Sequence, residues 1–279
     1  MKQLLRELTP PMLWRCVKAI SDAPVRTKRS DSIHYEGHYV TWNEAMQAST
    51  GYDADVILQR TRDSLLKVKR NEAVYERDSV VFDEAQHAFP LLAGLLRAAV
   101  ASEGRLSVVD FGGSLGSSYF QCRHFLHPVR NLEWLVVDQP AHVACGREDF
   151  ESDQLRFHNS VEDCIAQHQP NVLLLSSVLQ YLALPYEVLQ KLLQYGLGHV
   201  IIDRTPFLAS GRERLTVQHV PSCIYPASYP AWFFSEGKVT TVFRSNGYRL
   251  VADFSASDTL SPKGEEAYFK GFIFENGGA

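Results

Sequence analysis

The sequence predicts an α/β fold, a doubly wound and mostly parallel sheet following a helical N-terminal portion. Three observations carry this expectation. Beyond Gly104, short apolar runs alternate with helix-length segments. The runs are nearly continuous in apolar residues, as strands covered on both faces are. The first of them opens into a glycine-rich turn, Val108-Val109-Asp110-Phe111-Gly112-Gly113-Ser114-Leu115-Gly116, and then into a helix from about Ser118.

Taken in order, residues 1–30 carry Lys2, Arg6, Arg15, Lys18, Arg26, Lys28 and Arg29 against Glu7 and Asp22, a local net of +5. Leu4, Leu5, Leu8, Met12, Leu13, Val17 and Ile20 form an apolar stripe interrupted at Pro10-Pro11. This segment reads as a helical arm on its own domain, or as a peripheral docking element for an anionic membrane face or acidic partner. Residues 31–80 carry helix and turn signals with little strand character. Asp83–Ser102 reads as an amphipathic helix with Asp83 and Gln86 as a capping-box pair, ended by Gly104. The expected strands are Leu106–Phe111, Leu132–Val137, Leu155–His158, Val172–Leu175 and Val200–Ile202. Tyr248–Phe254 and Tyr268–Phe274 follow, with too little helix between them for a crossover, so the last strand is expected to enter antiparallel. The resulting division is a helical portion, 1–103, that covers the site, and a domain, 104–279, with a substrate-side insertion near 205–235.

Composition narrows the function. The 279 residues carry 45% hydrophobic and 22% charged side chains, which excludes extended disorder. A net charge of −4 argues against coating bulk nucleic acid. No apolar run approaches a membrane span, and the N-terminus breaks up too early for a secretory signal. Five cysteines without a C-x-x-C indicate neither a disulfide framework nor a metal set. The expectation is a soluble cytoplasmic protein.

The glycine turn admits three readings. As G-x-S-x-G, Gly112 to Gly116 matches the nucleophile elbow of serine hydrolases, with Asp203 and His219 downstream in triad order. As a dinucleotide fingerprint it fails, because the required glycines fall on Ser114 and Ser117 or on Leu115 and Ser118. As D-x-G-x-G-x-G it fits, with Ser114 at the middle glycine. Asp110 then stands where it can hold an ammonium group, and the glycines let backbone approach a ligand. Trp134-Leu135-Val136-Val137-Asp138 ends in an acid 22 residues beyond Gly116, about where an acid for ribose hydroxyls belongs.

This loop resembles the first motif of class I S-adenosylmethionine-dependent methyltransferases, especially small-molecule O-methyltransferases. Asp138-Gln139-Pro140 resembles the D-x-P that follows their second strand. The resemblance implies a seven-stranded Rossmann-like sheet and S-adenosyl-L-methionine as cofactor. It implies adenine contacts at Asn159 and Ser160, and Ser176 beside the methionine and reactive methyl. Tyr39-Val40-Thr41-Trp42-Asn43-Glu44-Ala45, Gly51-Tyr52-Asp53, Tyr75-Glu76-Arg77-Asp78-Ser79-Val80, Asp203-Arg204-Thr205-Pro206-Phe207 and Tyr225-Pro226-Ala227-Ser228-Tyr229-Pro230-Ala231-Trp232 together are similar to a family of bacterial methyltransferases. Its members often accompany genes for surface-polysaccharide assembly, which implies a role in polysaccharide biosynthesis.

In an open α/β sheet the site lies beyond the carboxyl ends of the strands. Asp203 ends its strand there with Arg204 beside it, and reads as a turn cap, a substrate contact or a general base. His219 follows and can return over the site as the other candidate base. Tyr225, Tyr229 and Trp232 read either as core or dimer packing, which suits a homo-oligomer, or as a platform for a flat acceptor or sugar ring. Tyr75 and Arg77 read as a solvated helix start or as a segment folding over cofactor and acceptor. The expected activity is O-methylation of a sugar or glycan-related small molecule. The alternatives are a serine hydrolase acting through Ser114 and a non-catalytic binding protein.

Overall fold

The computed structural model describes residues 32–50, 54–77, 79–82, 84, 87–222, 224–256, 258 and 260–278. The basic segment 1–30, Gly51-Tyr52-Asp53 and the Asp83 and Gln86 pair lie outside the described residues. The described chain opens with β1 (His34–Tyr39) and α1 (Trp42–Gln47). A capping box starts α1: the Thr41 hydroxyl accepts from the Glu44 N–H, and the Glu44 carboxylate accepts from the Thr41 N–H. Next come α2 (Ala54–Lys69), the hairpin β2 (Tyr75–Arg77) and β3 (Val80–Phe82), and α3 (Phe89–Ala101). The alternating region runs β4 (Arg105–Phe111), α4 (Ser117–Leu126), β5 (Asn131–Val137), α5 (Pro140–Asp149), β6 (Leu155–His158), α6 (Val161–Gln167) and β7 (Val172–Ser176). A 3-10 turn, Leu179–Tyr181, leads through α7 (Pro185–Leu193) to β8 (His199–Leu208). The chain ends with the hairpin β9 (Arg214–Val220) and β10 (Ala227–Phe233), then α8 (Glu236–Ser245), β11 (Tyr248–Ser255) and β12 (Ala267–Asn276).

Seven strands form one sheet in the order β11-β12-β8-β7-β4-β5-β6. The five from β4 to β8 are parallel, and β12 lies antiparallel between β8 and β11. This is the seven-stranded, mostly parallel sheet that the sequence predicts, with its last strand reversed. Side-chain alternation shows why the strands are apolar at nearly every position. Leu106, Val108, Leu132, Trp134, Val136, Val172 and Leu174 join α3, α4 and α5 in one buried cluster. Val109, Leu135, Val137, Leu173, Leu175, Val200 and Ile202 join α7 and α8 in a second cluster on the other face. Each such side chain, fully buried, contributes about 1.5–3 kcal/mol.

Three expectations are corrected. Residues 31–80 are not free of strands. β1 pairs antiparallel with β9, in the three-stranded sheet β1-β9-β10, and β2 pairs with β3. The sequence His-Tyr-Glu-Gly-His-Tyr is mostly polar and buries only Tyr35, so long-range pairing makes it a strand rather than apolar content. The helix expected from Asp83 begins at Phe89 without a side-chain cap. Pro90 lacks an N–H and fits only a first turn, which an earlier start would have made an interior. The helical portion 1–103 is therefore mixed where it is described, and its β1 belongs with the hairpin of the 205–235 insertion. Ile33–Ala279 forms one compact unit, without a break at 103. Among the described residues no helix is long and apolar enough to cross a membrane.

β12 shifts register at Gly271, where a Cβ would lie 2.1 Å from the Phe254 ring and 2.7 Å from the Ile202 carbonyl oxygen. That oxygen belongs to the neighbouring strand and cannot yield without breaking pairing. Gly271→Ala is expected to lower unfolding stability by about 1–3 kcal/mol, read as an earlier urea midpoint. An unchanged midpoint contradicts this packing.

Candidate functional site

The strand registers build one row across the carboxyl edge of the sheet. Phe111 pairs with Val137, Val137 with His158, Asp110 with Leu174, and Ser176 with Asp203. Continued past these pairs, the registers align Asn159, Asp138, Gly112, Ser176 and Asp203. The strand order reverses direction between β4 and β7, at Gly112 and Ser176. In an open α/β sheet such a switch point opens a ligand crevice.

The loop after β4 is shaped by close approach. Gly112 has φ +72°, and a Cβ there would lie 2.3 Å from a methyl of Val178, so only glycine fits. A Cβ at Gly113 would lie 2.5 Å from the Asp110 carboxyl carbon. Asp138 clamps the turn: its Oδ2 accepts from the Ser114 N–H at 2.8 Å and its Oδ1 from the Gln139 N–H at 2.7 Å. Each oxygen keeps a second lone pair for a further donor. Six non-glycine residues adopt positive φ among the described residues, and three lie on this edge: Ser114 (54°), Ser177 (53°) and Arg204 (51°). Each such residue costs roughly 1–3 kcal/mol, and such strain gathers at ligand sites.

Two buried carboxyls belong to this edge, Asp110 beneath the glycine turn and Asp203 at the end of the row. Asp110 is 1% exposed and accepts a hydrogen bond from the Trp134 indole at 2.9 Å. Burial pushes its carboxyl up to about 7, against the indole bond, with the Asp138 charge adding to the rise. Asp203 accepts from the Ser176 hydroxyl at 3.3 Å. Burial raises its pKa as well, opposed first by the Arg204 charge and then by the Ser176 bond. Arg204 reaches Asp258 at 3.2 Å.

The hairpin β2–β3 meets the site through a residue the sequence analysis passed over. Buried Glu76 accepts from the Ser79 N–H at 2.6 Å and from the hydroxyl of Ser117, the first residue of α4, at 2.5 Å. Tyr75 and Arg77 lie on the opposite side of the strand. Tyr75 stacks on Phe82, and the Arg77 guanidinium lies 5.7 Å from the same ring. The only available signal was its place between those two residues.

The small sheet sorts the remaining candidates by parity. Tyr229 pairs with Gln218, whose side chain accepts from the Tyr181 hydroxyl at 2.9 Å. The Tyr181 and Tyr229 rings meet edge to face, and the Tyr225 and Tyr229 hydroxyls are 3.4 Å apart. Tyr225 and Tyr229 thus stand beside the turn that follows β7. His219 and Trp232 alternate to the α1 side, where His219 stacks on His34 and Trp232 packs against the cluster of Ala45, Leu215 and Val217. His219 thus faces away from Tyr181. Ser160 caps α6 by accepting from the Asp163 N–H, while Asn159 and Gln139 are exposed beside the row. The glycine turn follows the first strand of the large sheet, and Asp203 is bonded to Ser176, so no Ser114–His219–Asp203 relay is assembled among these contacts.

No family model matches the chain, and no curated protein matches it. Solved structures do resemble it. One, described as a pericyclic reaction enzyme, gives a TM-score of 0.44 at 13% identity, covering 65% of this chain and 46% of that one. An S-adenosylmethionine-dependent methyltransferase from Clostridium acetobutylicum gives 0.43 at 11%, covering 67% and 90%. The N-terminal domain of EvdMO1, solved with S-adenosylhomocysteine and D-fucose, gives 0.46 at 10%, covering 81% and 97%.

The raised Asp110 pKa has a pH signature. Between the ordinary carboxyl range and about 7, the folded chain holds a proton that the unfolded chain releases. Stability therefore falls as pH rises through that window. Asp110→Asn keeps an acceptor for Trp134 and removes the titration. From pH 5 to pH 8 the wild type is expected to lose more urea stability than Asp110→Asn; parallel profiles contradict the assignment.

Proposed function

We propose that the chain is an S-adenosylmethionine-dependent methyltransferase acting on a hydroxyl oxygen of a sugar or glycan-related small molecule. The observation that carries this reading is the row of Asn159, Asp138, Gly112, Ser176 and Asp203 at the switch point. The residues fit the cofactor: the Cβ positions of Gly112 and Gly113 are taken by Val178 and the Asp110 carboxyl, so the turn is held close against its own strands and borders the ligand with backbone. The Asp138 carboxylate, which also faces the His142 Nδ1 at 3.6 Å, suits ribose hydroxyls, Asn159, Ser160 and Gln139 border the adenine, and Asp110 and Ser176 attend the methionine end. When bound, S-adenosylmethionine supplies a methyl group activated by the adjoining sulfonium, transferable in line to a nucleophile.

Asp203 receives the acceptor hydroxyl's proton. Its burial suits this role, because a carboxylate with a raised pKa is a better proton acceptor near neutrality. Arg204 orients the acceptor, and half-buried Tyr229 offers it a ring and a hydroxyl, while Tyr225 packs behind it in a core cluster with Ile57, Val220 and Ala227. The resemblance to methyltransferases that accompany polysaccharide genes supports a step in glycan assembly.

Calorimetry with S-adenosylhomocysteine is expected to show binding that Asp138→Ala weakens at least tenfold. No binding by a folded sample contradicts the cofactor assignment. Transfer of labelled methyl into fractionated cell extract is expected to label carbohydrate, and label in protein, lipid or RNA contradicts the acceptor class. Asp203→Asn is expected to reduce turnover by about a hundredfold while sparing S-adenosylhomocysteine affinity. Equal loss of both makes Asp203 structural.

A further inference from the structure

His34, Glu36 and His219 lie outside the crevice, on the α1 side of the small sheet. We propose that they form a binding site for a borderline divalent transition ion of the zinc class. His34 and His219 are direct cross-strand partners in the β1–β9 register. Their rings are nearly parallel, 11° apart, with centroids 4.8 Å apart. Glu36 is two residues beyond His34 and so shares its face. One ligand atom from each of the three side chains lies within 4.8 Å of the other two. A tetrahedral zinc at 2.0–2.1 Å needs ligand atoms about 3.3 Å apart, a closure of roughly 1.5 Å that side-chain rotation covers. Glu36 is exposed and has the freedom to make this movement.

The donor set selects the ion. Two imidazoles and one carboxylate suit zinc, cobalt, nickel or iron, whereas magnesium and calcium prefer all-oxygen shells. Three protein ligands leave a fourth position for water or an exogenous ligand. The ion clips the edge strand β1, which buries only Tyr35, to β9. It therefore joins positions 34 and 219 across a long stretch of chain.

The test uses the full chain, stripped with chelator and dialysed, then titrated with Zn2+ by calorimetry and with Co2+ by visible absorption. The expected result is one equivalent bound, tetrahedral Co2+ bands and a zinc-dependent rise in Tm. His34→Asn, His219→Asn and Glu36→Gln are each expected to weaken zinc binding at least tenfold. Glu36→Gln leaves both imidazoles in place at an exposed position, so the test survives misfolding of a histidine variant. The double variant His124→Ala/His127→Ala at the C-terminal end of α4 is expected to bind as the wild type does. No binding, affinity unchanged in Glu36→Gln, or binding lost only in the His124/His127 variant overturns the proposal.

Discussion

The Asp138 carboxylate is the constraint on which the crevice depends. It sits just past β5 and holds the Ser114 N–H of the adjacent loop and its own neighbour Gln139 N–H. Ser114 is left-handed, and Gly112 is pressed against Val178. A turn in this conformation needs a fixed acceptor, and charge-assisted hydrogen bonds to a partly buried carboxylate are about twice as strong as neutral ones. The clamp therefore couples the ends of β4 and β5, while Val178 couples the turn to the end of β7. Three strand ends are locked before any ligand arrives.

Around this clamp, buried carboxyls are arranged on both sides of the switch point. Asp110 lies beneath Gly113, and Asp203 ends the row on β8. Both are carboxyls that burial makes reluctant to ionise. A cation above the glycine turn would favour the ionised Asp110, and an acceptor hydroxyl beside Asp203 would meet a base of raised affinity for its proton. Glu76 anchors the β2–β3 hairpin at the same edge through Ser117, the residue after the last loop glycine.

The sequence made the large sheet legible because each parallel strand is buried on both faces, leaving continuous apolar runs such as Leu132–Val137. The glycine turn was legible because its geometry requires particular residues at particular positions. β1 was not, since its strand character depends on β9, far away in sequence. The late start of α3 followed from Pro90, whose steric demand outweighs the apolar period before it. The site's outer parts were hidden by parity. A one-residue step decides which side of β9 carries Gln218 and which carries His219, and the alternation of Leu215 and Val217 with Thr216 and Gln218 does not say which of the two faces turns toward the crevice. The same step brings His219 to His34 and Glu36, a grouping with no spacing in the sequence.

The most direct measurement of the central claim is a crystal structure of the full chain grown with S-adenosylhomocysteine. The ligand is expected in the crevice between Gly112 and Ser176, with ribose hydroxyls on Asp138 and the adenine toward Asn159. A ligand bound elsewhere, or one that leaves Asp138 bonded only to Ser114 and Gln139, would contradict it.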